Sequence, residues 1–219
     1  TTGATVIVGL QDAPPGVLIW RAILQWLGGI GIIATAIAIL PALGVGGMQL
    51  FRTESSDRSE KVLPRVREVA AAITTIYVGF TIACIAAYWL AGMSGFDAVA
   101  HALTTISTAG FSTHDASLGH FTNPAIHWIA VFFMIAGAVP FVLYVRLFQG
   151  ETDPLRNSQV RVLLSFIAVV VVGMTLWLTL TGRFDFFDAL RLSALNVVSV
   201  VTTSGFASAD YGAWGNVAI

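Results

Sequence analysis

The stretch TTISTAGFSTHD, residues 104–115, decides how this chain is read. It is small, polar and rich in hydroxyls, with Gly110 near its centre, and it lies between two long apolar runs. Segments 17–45, 66–90, 124–148 and 160–181 each exceed the ~20 residues that cross a bilayer core. Regions 94–123 and 185–214 differ. Each carries an apolar run of only about 11–15 residues, followed by a Gly, Ser and Thr loop. Such a run reaches about halfway across a bilayer. Both regions are therefore expected to be re-entrant, with a short helix dipping in and a loop climbing back out.

Composition points the same way. Of 219 residues, 56% are hydrophobic and 11% charged, where a soluble domain carries about 25% charged residues. The expected solvent is lipid. A net charge of −1 argues against nucleic acid as a partner. The single cysteine, Cys84, lies in an apolar run and reads as a buried small hydrophobe. Eight of the 11 Lys and Arg lie in two connectors: Arg52, Arg58, Lys61, Arg65 and Arg67, then Arg146, Arg156 and Arg161. The positive-inside rule makes the loops 46–67 and 144–161 cytoplasmic. The other side holds Asp12, Asp97, Asp115, Asp185, Asp188 and Asp210 against Arg21, Arg183 and Arg191. The glycine loops then face outward, in a mildly cation-attracting field.

The segments repeat. Pro64 and Pro154, 90 residues apart, each precede a span, where proline suits the first helical turn. Ser94 and Asp185, 91 apart, read as N-caps, each with an Asp three residues on (Asp97, Asp188) in a capping-box pattern. STAGFSTHD is echoed by TTSGFASAD, with Gly110 and Gly205 95 apart. The offset grows by four residues inside the short helix, so the second short helix is expected to be about one turn longer. Thr1-Thr2-Gly3 precedes a span carrying Trp20 as Gly110 precedes one carrying Trp128. The chain thus reads as a fragment with the end of one copy, one complete copy and most of a third.

Nonhelical backbone at membrane depth must be buried in protein or line a path. The C-terminal end of a short helix carries negative partial charge and favours a cation. Several loop carbonyls around an axis can replace a cation's hydration shell. No Asp or Glu occupies the three loop cores, which disfavours a tight divalent site. A bland alternative makes the glycines packing residues between helices. A second is a transporter that binds a small solute with broken helices; it predicts inverted repeats and an ionisable group at mid-span. The direct repeat and the absence of Asp, Glu and Lys from the mid-spans favour a pore. Four scattered histidines and one cysteine give no basis for an enzyme.

The stretches TTGAT, WRAILQWLGGIGIIATAIAILPALGVGGMQLFRTESSD, FDAVAHALTTISTAGFST and NVVSVVTTSGFASADYG resemble the Trk/Ktr/HKT superfamily of potassium transporters, most closely the bacterial Trk-type membrane subunit. The resemblance implies an all-α polytopic membrane protein of repeated membrane helix, pore helix, filter loop and membrane helix. About three of four filters would be present. On that reading residues 1–45 are the filter loop and inner helix of a first unit, and 46–64 a cytoplasmic loop. Residues 65–149 form a complete second unit, with pore helix 95–106, filter 107–111 and inner helix 124–149. Residues 150–219 start a third unit, with filter 202–206. The filter positions are Thr1, Thr2 and Gly3; Ser107, Thr108, Ala109 and Gly110; and Thr202, Thr203, Ser204 and Gly205. Potassium would be the transported ion, held by backbone carbonyls, with no cofactor. The resemblance further implies a bacterial inner-membrane location, a homodimer of full-length subunits and a cytosolic ring of nucleotide-binding regulatory proteins. Three quarters of a ring is not expected to conduct alone.

Other residues carry local expectations. Gly28, Gly29, Gly31 and Gly137 read as helix-packing positions, with close approach to the pore as the alternative. Arg21 either partners an acid near the filter or snorkels. His114 and Asp115 suggest capping or solvation rather than a metal pair, and His101 a packing or hydrogen-bonding residue. Arg191 is placed to pair with Asp188. Trp20, Trp128 and Trp214 read as interface-belt aromatics.

Overall fold

The computed structural model describes residues 1, 3, 5–43, 62–150 and 157–208, with side chains left out for 32–43 and 62–67. Thr2, Arg156, Asp210, Trp214 and most of the first basic loop lie outside the described residues. Within them the fold is helical, with no strand: α1 (Pro15–Leu43), α2 (Val62–Leu90), α3 (Gly95–Ile106), α4 (Pro124–Ala138), α5 (Phe141–Phe148), α6 (Ser158–Leu180) and α7 (Phe186–Val201). Among the described residues, Glu68–Leu90 and Ser158–Leu180 are long and apolar enough to cross a membrane, and α4 with α5 makes a third, bent, candidate.

Local chemistry sets the ends. The Ser94 hydroxyl accepts from the Asp97 N–H at 3.0 Å, capping the start of α3, and donates to the Asp97 carboxylate at 2.7 Å. Asp97 is thus tied to the cap through the Ser94 hydroxyl and not through the Ser94 N–H that the expected capping box would use. The Asn123 side-chain oxygen Oδ1 caps α4 by accepting the Ala125 N–H at 3.0 Å, with Pro124 in the first turn. Its amide also donates to the Ala91 carbonyl at 2.7 Å, fastening α4 to the end of α2. Asp185 occupies the N-cap position of α7, but its side chain makes no capping hydrogen bond; the expected second capping box does not form. Helix α7 has 16 residues and α3 has 12, a difference of about one turn.

The core lies where α2, α3 and α4 meet. Tyr88, Cys84, Ala98, Ala102, Ala130 and Met134 are fully buried there. Small residues on α3 and α4 let the short helix sit close. Tyr88 Oη meets Thr105 Oγ1 at 2.9 Å. Helix α1 is fixed to α2 by Trp26 Nε1–H to Thr81 Oγ1 (3.0 Å) and Tyr77 O–H to the Trp26 carbonyl (3.0 Å). Phe132, Phe166, Val169 and Val172 are exposed, as suits faces turned to lipid.

The inner helix expected over 124–149 is not one helix. It breaks between α4 and α5 and bends by 87°. Pro140 is the cause: it has no N–H to give the Ala136 carbonyl, and its ring blocks the preceding turn. The Tyr144 hydroxyl replaces the missing donor, reaching the Ala136 oxygen at 2.9 Å. Its ring packs edge-on against Phe80, with centroids 4.9 Å apart. Tyr144→Phe is expected to leave that carbonyl unpaired and destabilise the full-length protein by about 1–3 kcal/mol, read as a lower melting temperature in detergent. Pro140→Ala restores an N–H, so Tyr144→Phe should have little effect in that background. An equal loss in both backgrounds would count against the role given to the hydroxyl.

Candidate cation-binding loops

Each short helix delivers its C-terminal end to a glycine loop. After α3, the N–H groups of Thr108, Ala109 and Gly110 donate back to the last turn: to Thr105 O at 3.1 Å and to Thr104 O at 2.9 and 3.3 Å. After α7, Thr203 donates to Val200 O at 3.1 Å, and Ser204 and Gly205 to Ser199 O at 2.8 and 3.4 Å. Across a trans peptide the C=O points opposite to the N–H, and no peptide here is cis. The carbonyls of Ser107, Thr108 and Ala109 therefore all point away from α3, and those of Thr202, Thr203 and Ser204 away from α7. The negative ends of both helices lie behind these carbonyl rows.

The backbone is wound for this purpose. Thr108 and Gly110 have φ of 49° and 79°, and Thr203 and Gly205 have 58° and 86°. Ala109 and Ser204 between them are not positive. The same alternation in both loops keeps successive carbonyls on one side. A left-handed threonine costs about 1–2 kcal/mol, so the surroundings must hold it. Ala109 and Ser204 are fully buried. Thr202 Oγ1 donates to the Val198 carbonyl at 2.7 Å and pairs with Ser204 Oγ at 2.8 Å. Ser107 Oγ donates to the Leu103 carbonyl at 2.9 Å.

The three loops come together. A Cβ built on Gly3 would strike the Ala109 carbonyl oxygen and come within 3.1 Å of the Ser204 oxygen. A Cβ on Gly110 would strike the Ser204 carbonyl, with its carbon at 2.7 Å. Gly3 and Gly110 thus each abut the carbonyl that precedes the next loop's glycine, as successive staves around an axis would, while a Cβ on Gly205 would meet nothing within 4 Å among the described residues. Thr1 lies beside Gly28, its Cγ2 3.5 Å from a Cβ built there. Gly29 faces Ser107, and Gly137 faces Thr108 and the Ile106 carbonyl. Of the four glycines read as packing positions, these two sit against the second loop.

An outer layer locks neighbours together. The Asp115 carboxylate accepts the N–H groups of Gly9 (2.8 Å) and Leu10 (3.0 Å), capping the turn Leu10–Asp12 from another loop. Among the described residues Arg21 meets no acid. It donates to Thr5 Oγ1 at 2.7 Å and lays its guanidinium 4.1 Å from the Phe111 ring centroid. Gly119 N–H donates to the Ala207 carbonyl, and Ala207 N–H to Ser117 Oγ, both at 3.2 Å. Arg191 pairs with Asp188 at 2.7 Å and donates to His127 Nδ1 at 2.8 Å; the other His127 nitrogen reaches the Leu118 carbonyl at 3.0 Å. His114 stacks on His120, centroids 3.7 Å apart. No group of three or more His, Cys, Asp or Glu suited to a metal occurs among the described residues.

Hydrogen bonds from the Leu10 and Gly9 backbone hold the Asp115 carboxyl below its ordinary value of 3.8. The charged form is the bound form. This clamp is therefore intact above pH 3.8 and lost as pH falls through the lowered value. Asp115→Ala is expected to speed amide exchange across residues 5–12 several-fold at neutral pH, with residues 95–106 unchanged. Equal exchange in both proteins would remove the clamp.

The TrkH family, described as cation transport protein, matches residues 1–218. The chain is 50% identical over 220 residues to the Trk system potassium uptake protein TrkI of Halomonas elongata, covering 100% of this chain and 44% of that protein. It is 40% identical over 225 residues to the Trk system potassium uptake protein TrkH of Escherichia coli K12, covering 98% and 45%. The crystal structure of the potassium transporter TrkH from Vibrio parahaemolyticus superposes with a TM-score of 0.87 at 38% identity, over 99% of this chain and 44% of that one. The chain thus spans less than half the length of these relatives.

Proposed function

The chain belongs to the TrkH family of cation transport proteins, and from that premise we propose that it forms the first three filter staves of a potassium uptake pathway. It is part of a multi-pass membrane protein. The observation that carries the reading is the convergence of Gly3, Ala109–Gly110 and Ser204–Gly205, with carbonyl rows aimed away from their helices. Uncharged oxygens suit a cation that must bind weakly enough to leave. Thr1, Gly3, Ser107, Thr108, Ala109, Gly110, Thr202, Thr203, Ser204 and Gly205 are the proposed ion-facing positions, with Thr2 completing the first set. Ions pass down their electrochemical gradient and no covalent step is needed. The loops face outward, and 46–67 and 144–161 face the cytoplasm of a bacterial cell. The full-length subunit works as a homodimer docked on a cytosolic nucleotide-binding ring.

The break between α4 and α5 is the one feature that favours a solute transporter with broken helices. The direct repeat weighs against it. Full-length protein in proteoliposomes, given a potassium gradient and no proton gradient, separates the two. Potassium or rubidium influx supports the pore. Influx that requires a proton gradient overturns it.

A further inference from the structure

His101 on α3 and Asn196 on α7 stand 95 residues apart, the same spacing as Gly110 and Gly205. Their side chains differ in chemistry, yet each bonds the carbonyl one turn back and the hydroxyl of a serine beyond its loop's glycine, His101 as acceptor from that hydroxyl and Asn196 as donor to it. His101 Nδ1 meets the carbonyl of Asp97, one turn back, at 2.8 Å, and Nε2 meets Ser112 Oγ at 2.9 Å. A carbonyl only accepts, so Nδ1 carries the proton and Nε2 accepts from the Ser112 hydroxyl. Asn196 Nδ2 donates to the carbonyl of Leu192, also one turn back, and to Ser208 Oγ, both at 2.8 Å. Its Oδ1 accepts the Ser208 N–H at 3.3 Å. Ser112 and Ser208 lie on the rising limb, just past each loop's glycine. His101 is fully buried and Asn196 is 5% exposed.

We propose that His101 and Asn196 are equivalent positioning residues, struts that set the height of the rising limb against the short helix and thereby hold the carbonyl rows at the spacing that favours potassium over sodium. This rests on the reading of the loops as an ion path. Neither side chain touches the ion. Each fixes the limb that leaves a left-handed glycine, and a limb free to slide would let the loop close around a smaller ion. Two unrelated side chains performing one task at matched positions point to the task, not to ancestry alone.

The two units do not lean on the strut equally. In the second, Thr104 Oγ1 also holds the Phe111 carbonyl at 2.8 Å, and Thr113 Oγ1 holds Asp97 at 2.6 Å. Ser199 occupies the position of Thr104 in the third unit, and its buried hydroxyl has no hydrogen-bond partner. The third loop therefore depends more on Asn196 and Ser208.

The test uses full-length protein in proteoliposomes and measures the ratio of potassium to sodium uptake, normalised to protein inserted. Ser208→Ala is expected to lower that ratio about tenfold, the scale of one buried hydrogen bond, and Ser112→Ala by less. Asn196→Leu should match Ser208→Ala, and the double variant should be no worse than either single, because both remove one contact. Wild-type protein without potassium uptake would defeat the proposed function itself. Wild-type protein that transports potassium while Ser208→Ala keeps the wild-type ratio overturns the strut. So do losses that multiply in the double variant. Where Asn196→Leu fails to reach the membrane, Ser208→Ala carries the decision.

Discussion

Gly110→Ala in the full-length protein is expected to reduce potassium uptake about a hundredfold while the protein still inserts. Two effects combine. The backbone of Gly110 has φ of 79°, which costs an L side chain about 1–2 kcal/mol. The new methyl would also strike the Ser204 carbonyl, with that carbon at 2.7 Å and the Gly205 carbonyl carbon at 3.0 Å. These are backbone atoms and cannot swing aside as a side-chain tip would. Overpacking of this kind adds about 1–3 kcal/mol, and every ~1.4 kcal/mol is a factor of ten. Serine brings the same Cβ and the same clash. Gly3→Ala meets the Ala109 carbonyl oxygen and should share the phenotype. Rubidium uptake in a potassium-uptake-deficient cell, normalised to membrane abundance, measures this. Wild-type uptake by Gly110→Ala would sink the assignment of the second loop.

The parts of this arrangement that were legible in advance are those with local causes. Ser94 caps the Asp97 N–H three residues on, and the α3 start follows. Gly110 and Gly205 share a sequence context, and their loops share a backbone winding down to the left-handed threonine two positions before each. His101 was readable as a packing or hydrogen-bonding residue, and it does both. Its counterpart Asn196 was not read at all, although the 95-residue spacing that pairs Gly110 with Gly205 also pairs these two. Part of what escaped has nonlocal causes. Asp115 was read as a capping or solvated residue and does cap, but the N–H groups it caps are over 100 residues away, which no local pattern names. Arg21 was expected to partner an acid or to snorkel; among the described residues its guanidinium meets Thr5 and an aromatic face. Its partner ring, Phe111, belongs to the next repeat, which no local pattern reveals. The break at Pro140 hid inside an apolar run of spanning length, because hydropathy does not register a missing N–H. Asp185 satisfied the capping pattern by residue type, but a cap needs side-chain geometry as well as identity.

The glycines behind the second loop separate two explanations that sequence left open. Gly137→Ala places a methyl 2.7 Å from the Ile106 carbonyl oxygen and 3.3 Å from Thr108 Cγ2. Gly29→Ala places one 2.5 Å from the Tyr77 hydroxyl, 3.0 Å from Ser107 Cβ and 3.3 Å from Ser107 Cα. Both press on the loop from behind. Among the described residues, Gly28, the residue before Gly29, would meet Thr1 alone, at 3.5 and 4.0 Å, which is ordinary contact. If these glycines served helix packing alone, alanine would lower stability and uptake together. If they make room for the loop, uptake falls first. Alanine in a helix is about 1 kcal/mol better than glycine, which offsets part of the overpacking of about 1–3 kcal/mol. Gly137→Ala and Gly29→Ala are therefore expected to keep melting temperatures close to wild type while uptake drops about tenfold. Gly28→Ala should stay within about twofold. The larger loss belongs to Gly137, because the atom it meets is backbone, whereas the Tyr77 hydroxyl can retreat by giving up its bond to the Trp26 carbonyl. Equal uptake by Gly28→Ala and Gly137→Ala would return these positions to plain helix packing and leave the second loop without its backstop.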